Sequence, residues 1–225
     1  MSRFNQHVFH RVAWIMVVVL PLLLIVAACA EKVEVRPEIR TIAGYAFGES
    51  SASLEAVHQI VQAAYGDEIA TLQLEKELTQ LLREPETSDE ARDFICRQLW
   101  IIGSDYSVPV LADMLSGEKR MADMALYALQ ENTGSTARVA LEKTLKTLNG
   151  DILVGVINTL GVRGEEASVK VIVALLDRED IVAVAAARAL GKIDAPSSRE
   201  ALEAAANGSA AVKDAVQKAL SMHGG

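Results

Sequence analysis

One apolar position recurs along this chain at almost constant spacing: Leu99, Leu129, Leu160, Leu190 and Leu220, at intervals of 30, 31, 30 and 30 residues. The residue four before each is apolar (Ile95, Ala125, Val156, Ala186, Val216), and so is the residue eight before (Ala91, Met121, Ile152, Val182, Val212). Spacings of four and eight fall on one stripe of an α-helix, so each unit ends in an amphipathic helix of about three turns. A second apolar position precedes each of these helices, at Leu78, Leu111, Leu141, Ile172 and Leu202. Four residues on come Leu82, Leu115, Leu145, Leu176 and Ala206. The 33-residue step from Leu78 to Leu111 places an insertion between residues 83 and 89, where Pro85 breaks any helix.

A pair of short helices cannot bury its apolar face alone, and copies at a fixed period bury it by stacking on one another. The pattern therefore predicts an all-α chain, an α-solenoid of about five helix pairs over residues 45–225. One extra N-terminal helix is striped by Leu54, Val57, Val61 and Ala64 and closed at Gly66. Ser209 and Asp180 are read as helix caps. A four-helix bundle would need no 30-residue period.

The residues of the fourth unit carry a resemblance. Residues 169–180 read VKVIVALLDRED and residues 182–191 read VAVAAARALG. They resemble HEAT-like repeats of the short kind found in bilin lyases. Tyr45-Ala-Phe-Gly48, Cys96-Arg-Gln-Leu99, Ala125-Leu-Tyr-Ala-Leu129 and Gly155-Val-Ile-Asn-Thr-Leu-Gly161 look like an exported bacterial subfamily of these proteins. The resemblance implies a binding scaffold of HEAT-like helix pairs and names no reaction. In the last unit Ser221 stands where the glycine is expected, and Ala205 and Ala206 replace large residues, as suits a thinner terminal cap.

The amino-terminal stretch gives an address. Arg3 and Arg11 precede an apolar run over residues 12–28, interrupted only by Pro21, with no acid before Glu31. A basic start, a short apolar core and small residues at the cut make a secretory signal. The run nearly reaches the length of a membrane span, but Pro21 would kink it at its centre. Val26-Ala-Ala-Cys29 resembles the ending of a bacterial lipoprotein signal, which implies cleavage before Cys29 and lipid (palmitate and its companion chains) on that residue. An uncleaved membrane helix and cleavage after Ala30 are the alternatives. The expected organisation is thus a signal peptide over 1–28, a polar tether over 29–44 and the repeat domain from 45. The address is a membrane-anchored place in the cell envelope. Ala30, which is not an acidic retention signal, favours the outer membrane over the inner one.

Charge narrows the partners. Without Arg3 and Arg11 the 22 basic residues fall to 20, against 30 acidic ones. Such a chain repels phosphate backbones, which excludes nucleic acid as the expected partner, and it leaves lipid as the membrane anchor. Of the two cysteines, Cys96 alone lies in the repeats, among Phe94, Ile95 and Leu99, and is read as a small core residue. His7 and His10 leave with the signal, and beyond it no Cys-x-x-Cys, paired histidines or glycine-rich phosphate loop occurs, so no metal, cofactor or catalytic set is expected, and the chain is read as a non-catalytic scaffold for a protein partner. A small-ligand chaperone or enzyme of the bilin-lyase kind, and a purely structural envelope component, are the alternatives.

One polar series follows the repeat. Two places before each marker leucine stand Arg97, Tyr127, Asn158, Arg188 and Lys218. Stacking brings them into a ladder along the second helices, either as a recognition surface or as a solvated face wired by inter-repeat hydrogen bonds. Asp93 and Asp214 lie four residues before Arg97 and Lys218, the spacing of a helical ion pair. Tyr127, Asn158 and Arg188 are left as the candidate binding face. Tyr45 and Phe47 are expected to pack on the first helix and close the array's open edge.

Overall fold

A computed structural model of the chain describes residues 33–132, 134–205 and 208–223. The signal peptide, Cys29 and Ala206 lie outside them. Among the described residues the fold is all-helical and solenoid-like, with no strand. A short helix α1 (Pro37–Arg40) leads to α2 (Ala52–Ala64). Then come α3 (Glu68–Arg83), α4 (Asp89–Ile102), α5 (Val108–Met114), α6 (Lys119–Glu131), α7 (Ser135–Thr144) and α8 (Gly150–Arg163). A 3₁₀ turn (Glu166–Ser168) precedes α9 (Val169–Val173), and α10 (Asp180–Lys192), α11 (Pro196–Ala204) and α12 (Ala210–Met222) complete the chain. None of these helices is long and apolar enough to cross a membrane.

The long helices carrying the marker leucines stack directly: α4 on α6, α6 on α8, α8 on α10 and α10 on α12. Leu99, Leu129, Leu160 and Leu190 are fully buried in this stack, with Ile95, Ala125, Val156 and Ala186 beside them. Leu220, on the last helix, is only half-buried. Leu78, Leu111, Leu141, Ile172 and Leu202 are buried where the preceding helices cover the stack. Local signals set the ends. The Asp67 side chain accepts from the N–H groups of Ile69 and Ala70 at 3.0 Å each and starts α3. Ser88 and Ser209 do the same for α4 and α12. Asp180 is not a cap: it is the first residue of α10, after Glu179. Gly164, at φ 68°, ends α8 in the left-handed conformation that glycine adopts without strain. In the insertion, Arg92 donates to the carbonyls of Leu82, Glu84 and Thr87 at 2.5, 2.7 and 3.0 Å, which satisfies the end of α3. Arg163 holds the end of α6 in the same way, through the carbonyls of Leu129 and Asn132.

The polar tether expected over 29–44 is corrected from Val35 onward. Val35, Ile39 and Ile42 are buried, the last two completely. Arg36 pairs with the buried carboxylate of Glu77 at 2.9 Å, Arg40 pairs with Glu84 at 2.7 Å, and Ser88 donates its backbone N–H to the Ala43 carbonyl at 2.8 Å. The physical reason is a helical stripe at spacings of four and three, overlaid by charges that point outward. Phe47 does not close the array's edge: it is 92% exposed, and Ile39 and Ile42 occupy that role beside α2 and α3.

Candidate functional site

The stacking register opens a groove of about 790 Å³ between α4 and α6. Asp93 and Arg97 line it from α4, and Lys119, Arg120, Asp123 and Tyr127 from α6. These residues meet because α6 repeats α4 thirty residues later, so equivalent positions stand side by side. The walls are charged but paired. Arg97 binds Asp93, Lys119 binds Asp123 at 2.9 Å, and Arg120 reaches across to Glu90 at 3.2 Å. The hydrogen bond to Asp123 holds the Lys119 ammonium above its ordinary value. Glu90 lies below its own ordinary value, first through its own backbone N–H at the start of α4 and then through Arg120. The floor is apolar, with Met124 and Cys96 nearly inaccessible. Burial pushes the Cys96 thiol up to about 12, so it stays protonated. Among the described residues, no cluster of three or more His, Cys, Asp or Glu is arranged to hold a metal ion.

The ladder divides by position. Arg97 and Lys218 are tied to Asp93 and Asp214, as their spacing implied. Tyr127 is 46% exposed and stacks on Trp100, with ring centroids 5.7 Å apart and planes 17° apart. Asn158 is half-buried and Arg188 exposed; neither side chain has a hydrogen bond or ion pair among the described residues. Only Tyr127 of the three candidates lines the groove. Tyr106 lies apart from the Trp100–Tyr127 pair, beneath the ammonium of Lys76 at 5.7 Å.

A second groove escapes a reading by period. It measures about 530 Å³ and runs between the start of α3 and the end of α4, where Tyr65, Leu72, Trp100 and Ile101 form its apolar walls. Glu75, 1% exposed, closes one end. It accepts from the Ser104 N–H at 2.7 Å, the Ser104 hydroxyl at 2.6 Å and the Ser107 N–H at 3.0 Å, and so holds the turn into α5. The one available sequence signal was that Tyr65, Ile69 and Leu72 sit off the core stripe of their helices.

No family model matches the chain, and no curated protein matches it. Among solved structures, that of human deoxyhypusine hydroxylase in complex with glycerol is similar, at 20% identity and a TM-score of 0.42, covering 83% of this chain and 88% of that one. That protein is an enzyme, which corrects the expectation of a non-catalytic chain. Function resides in side chains placed on a fold, so a helical array does not exclude catalysis, and that exclusion goes no further.

Proposed function

We propose that this chain is a lipid-anchored protein of the bacterial cell envelope, built of about five HEAT-like helix pairs, that binds another protein along the exposed edge of its second helices. The observation that carries the reading is the Trp100–Tyr127 pair. Two large aromatic rings on successive stacked helices, 36% and 46% exposed, stand between two grooves. Tyr and Trp dominate binding hot spots because they offer large, stiff contact area with a polar handle. Asn158 and Arg188 extend the same edge along α8 and α10 with side chains not committed elsewhere. Cys29 carries the lipid, and the membrane is reached through it rather than through a basic surface. No cofactor and no nucleic acid enter this reading.

The test is capture from intact envelopes by a short amine-to-amine crosslinker, with the full chain and its Tyr127→Ala, Asn158→Ala, Arg188→Ala triple variant. A single hot spot worth about 2 kcal/mol lowers affinity roughly 30-fold. Equal capture by a correctly folded triple variant would remove the ladder from the interface. In parallel, Cys29→Ser should leave the chain unprocessed or move it to the soluble fraction. An unmodified mature terminus at Glu31, or an intact Met1, in the mass of the wild-type chain refutes the anchor.

A further inference from the structure

We propose that the groove between α3 and α4 takes an extended peptide segment bearing a bulky apolar side chain flanked by Lys or Arg. This rests on the partner-binding reading above and gives that partner a docking place and a chemistry. Four of the ten large hydrophobic residues most exposed among the described ones meet here: Tyr65 at 71%, Leu72 at 40%, Trp100 at 36% and, stacked on it, Tyr127 at 46%. They come from the end of α2, from α3, from α4 and from α6, so the helix stack itself holds their spacing. Ile69, 84% exposed, stands one turn before Leu72 on α3 and lengthens the apolar side. Water is displaced from such surfaces at a gain in free energy, and contiguous apolar patches mark binding sites rather than ordinary surface.

Charge selects the occupant. Among the described residues the lining contains Glu68, Glu75 and Glu131 and no Lys, Arg or His. Glu75 is buried and fully engaged by Ser104 and Ser107, which leaves the exposed carboxylates of Glu68 and Glu131 facing the solvent at the rim. A negative rim around an apolar floor attracts a basic segment and repels phosphate, so neither an anionic bilayer nor nucleic acid suits it. A second copy of this chain would bring the same carboxylates toward its own acidic surface, in a chain of net charge −8. The opening is a surface groove continued by the Tyr127 ring, which suits a chain lying along it.

The experiment pans a phage-displayed random dodecapeptide library against the full chain in a non-ionic detergent, then measures synthetic copies of the selected peptides by fluorescence anisotropy. Selected peptides should carry Leu, Phe or Trp within three residues of Lys or Arg. Their affinity should fall at least tenfold with Trp100→Ala or Leu72→Ser, and at least threefold between 50 and 300 mM salt. The exposed pair Glu68→Lys, Glu131→Lys, which leaves packing untouched, should lose basic peptides and select acidic ones, so the proposal survives a misfolded Trp100 variant as a test. It is overturned by an empty library, by selected peptides without basic residues, by binding indifferent to all these variants, by binding to vesicles of phosphatidylglycerol that Trp100→Ala or Leu72→Ser weakens, or by a dimer that Leu72→Ser dissolves. An envelope partner lost by the Tyr127, Asn158, Arg188 variant but retained by the Trp100, Leu72 and charge-reversed variants overturns this site alone. Absence of any crosslinked envelope partner overturns the functional reading instead.

Discussion

Gly155 and Gly161 lie on the same helix, α8, and the same substitution should move stability in opposite directions at the two. A Cβ added at Gly161 would stand 2.6 Å from the Ala189 Cα and 2.8 Å from its Cβ, on the neighbouring α10. Carbon atoms pack at about 3.5–4.0 Å, so α8 and α10 would have to part by roughly 1 Å. Neither partner atom can rotate away. Overpacking of this kind costs about 1–3 kcal/mol. Replacing glycine by alanine inside a helix returns roughly 0.5–1 kcal/mol. The balance is a loss centred on about 1 kcal/mol, and at most about 2.5 kcal/mol, for Gly161→Ala. At Gly155 the added Cβ meets only Leu126 Cδ1, at 2.7 Å, the end of a rotatable side chain. There the clash is relieved by a small rotation, and Gly155→Ala should be neutral or stabilising by up to about 1 kcal/mol. Urea titration followed by circular dichroism measures both, with slopes compared first because repeat arrays can unfold in more than one step. Equal shifts of the two variants, or a stabilised Gly161→Ala, would refute the inference that backbone-to-backbone contact sets the spacing of α8 and α10.

Three further outcomes follow from the same packing. Leu160→Ala, in the fully buried centre of the stack, should cost about 2–5 kcal/mol, and Leu220→Ala, half-exposed on α12, only about 1 kcal/mol; equal losses in urea would argue against a linear array. Ile39→Ala should cost about 2–4 kcal/mol in the same titration, whereas a residue in a detached tether would cost nothing. Cys96, 1% exposed with its thiol pushed up to about 12, should resist maleimide at pH 8 at least a hundredfold longer in the native chain than in 8 M urea, with the labelled site mapped by peptide mass.

The period made the core legible. A residue recurring every thirty positions, with apolar companions four and eight before it, left few ways to bury itself other than a helical stack, and Leu99, Leu129, Leu160 and Leu190 lie there. The segment before it was harder to read, because Arg36, Glu38 and Arg40 surround Val35, Ile39 and Ile42, and composition alone sees the charges. Its ion pairs with Glu77 and Glu84 connect residues more than forty apart, a distance at which no local spacing rule operates. Glu75 was illegible for a related reason. On its own helix it reads as a polar surface residue, yet its role is to receive the N–H groups of Ser104 and Ser107. The α3–α4 groove takes its walls from residues outside the repeated stripe, so the period that revealed the core carried no information about it.

The slot just after each marker leucine joins these two layers. It holds Trp100, Gln130, Gly161, Gly191 and Ser221 in successive units. Where it is glycine the next helix comes in: Gly161 faces Ala189, and Gly191 faces the Ala219 Cβ at 2.7 Å and its Cα at 2.9 Å, measured from an ideal Cβ. A large side chain has no room at that distance. At the same register on α4 stands Trp100, facing α6, where Ala128 is buried in the position of Ala189 and Ala219. Its ring is carried past that contact and comes to rest on Tyr127, the neighbour of Ala128. A position that serves close packing in the later units thus becomes exposed aromatic surface in the first, on the helix that borders both grooves. Trp100→Gly should therefore do two things at once. It should remove the exposed platform, lowering binding of the selected peptides at least tenfold, and it should cost only about 1–2 kcal/mol of stability, from a glycine inside α4 and the lost stacking on Tyr127, since the ring was already partly in water. A loss above about 3 kcal/mol would show that Trp100 is a core residue of the α4–α6 contact, and the platform reading of this slot would fall with it.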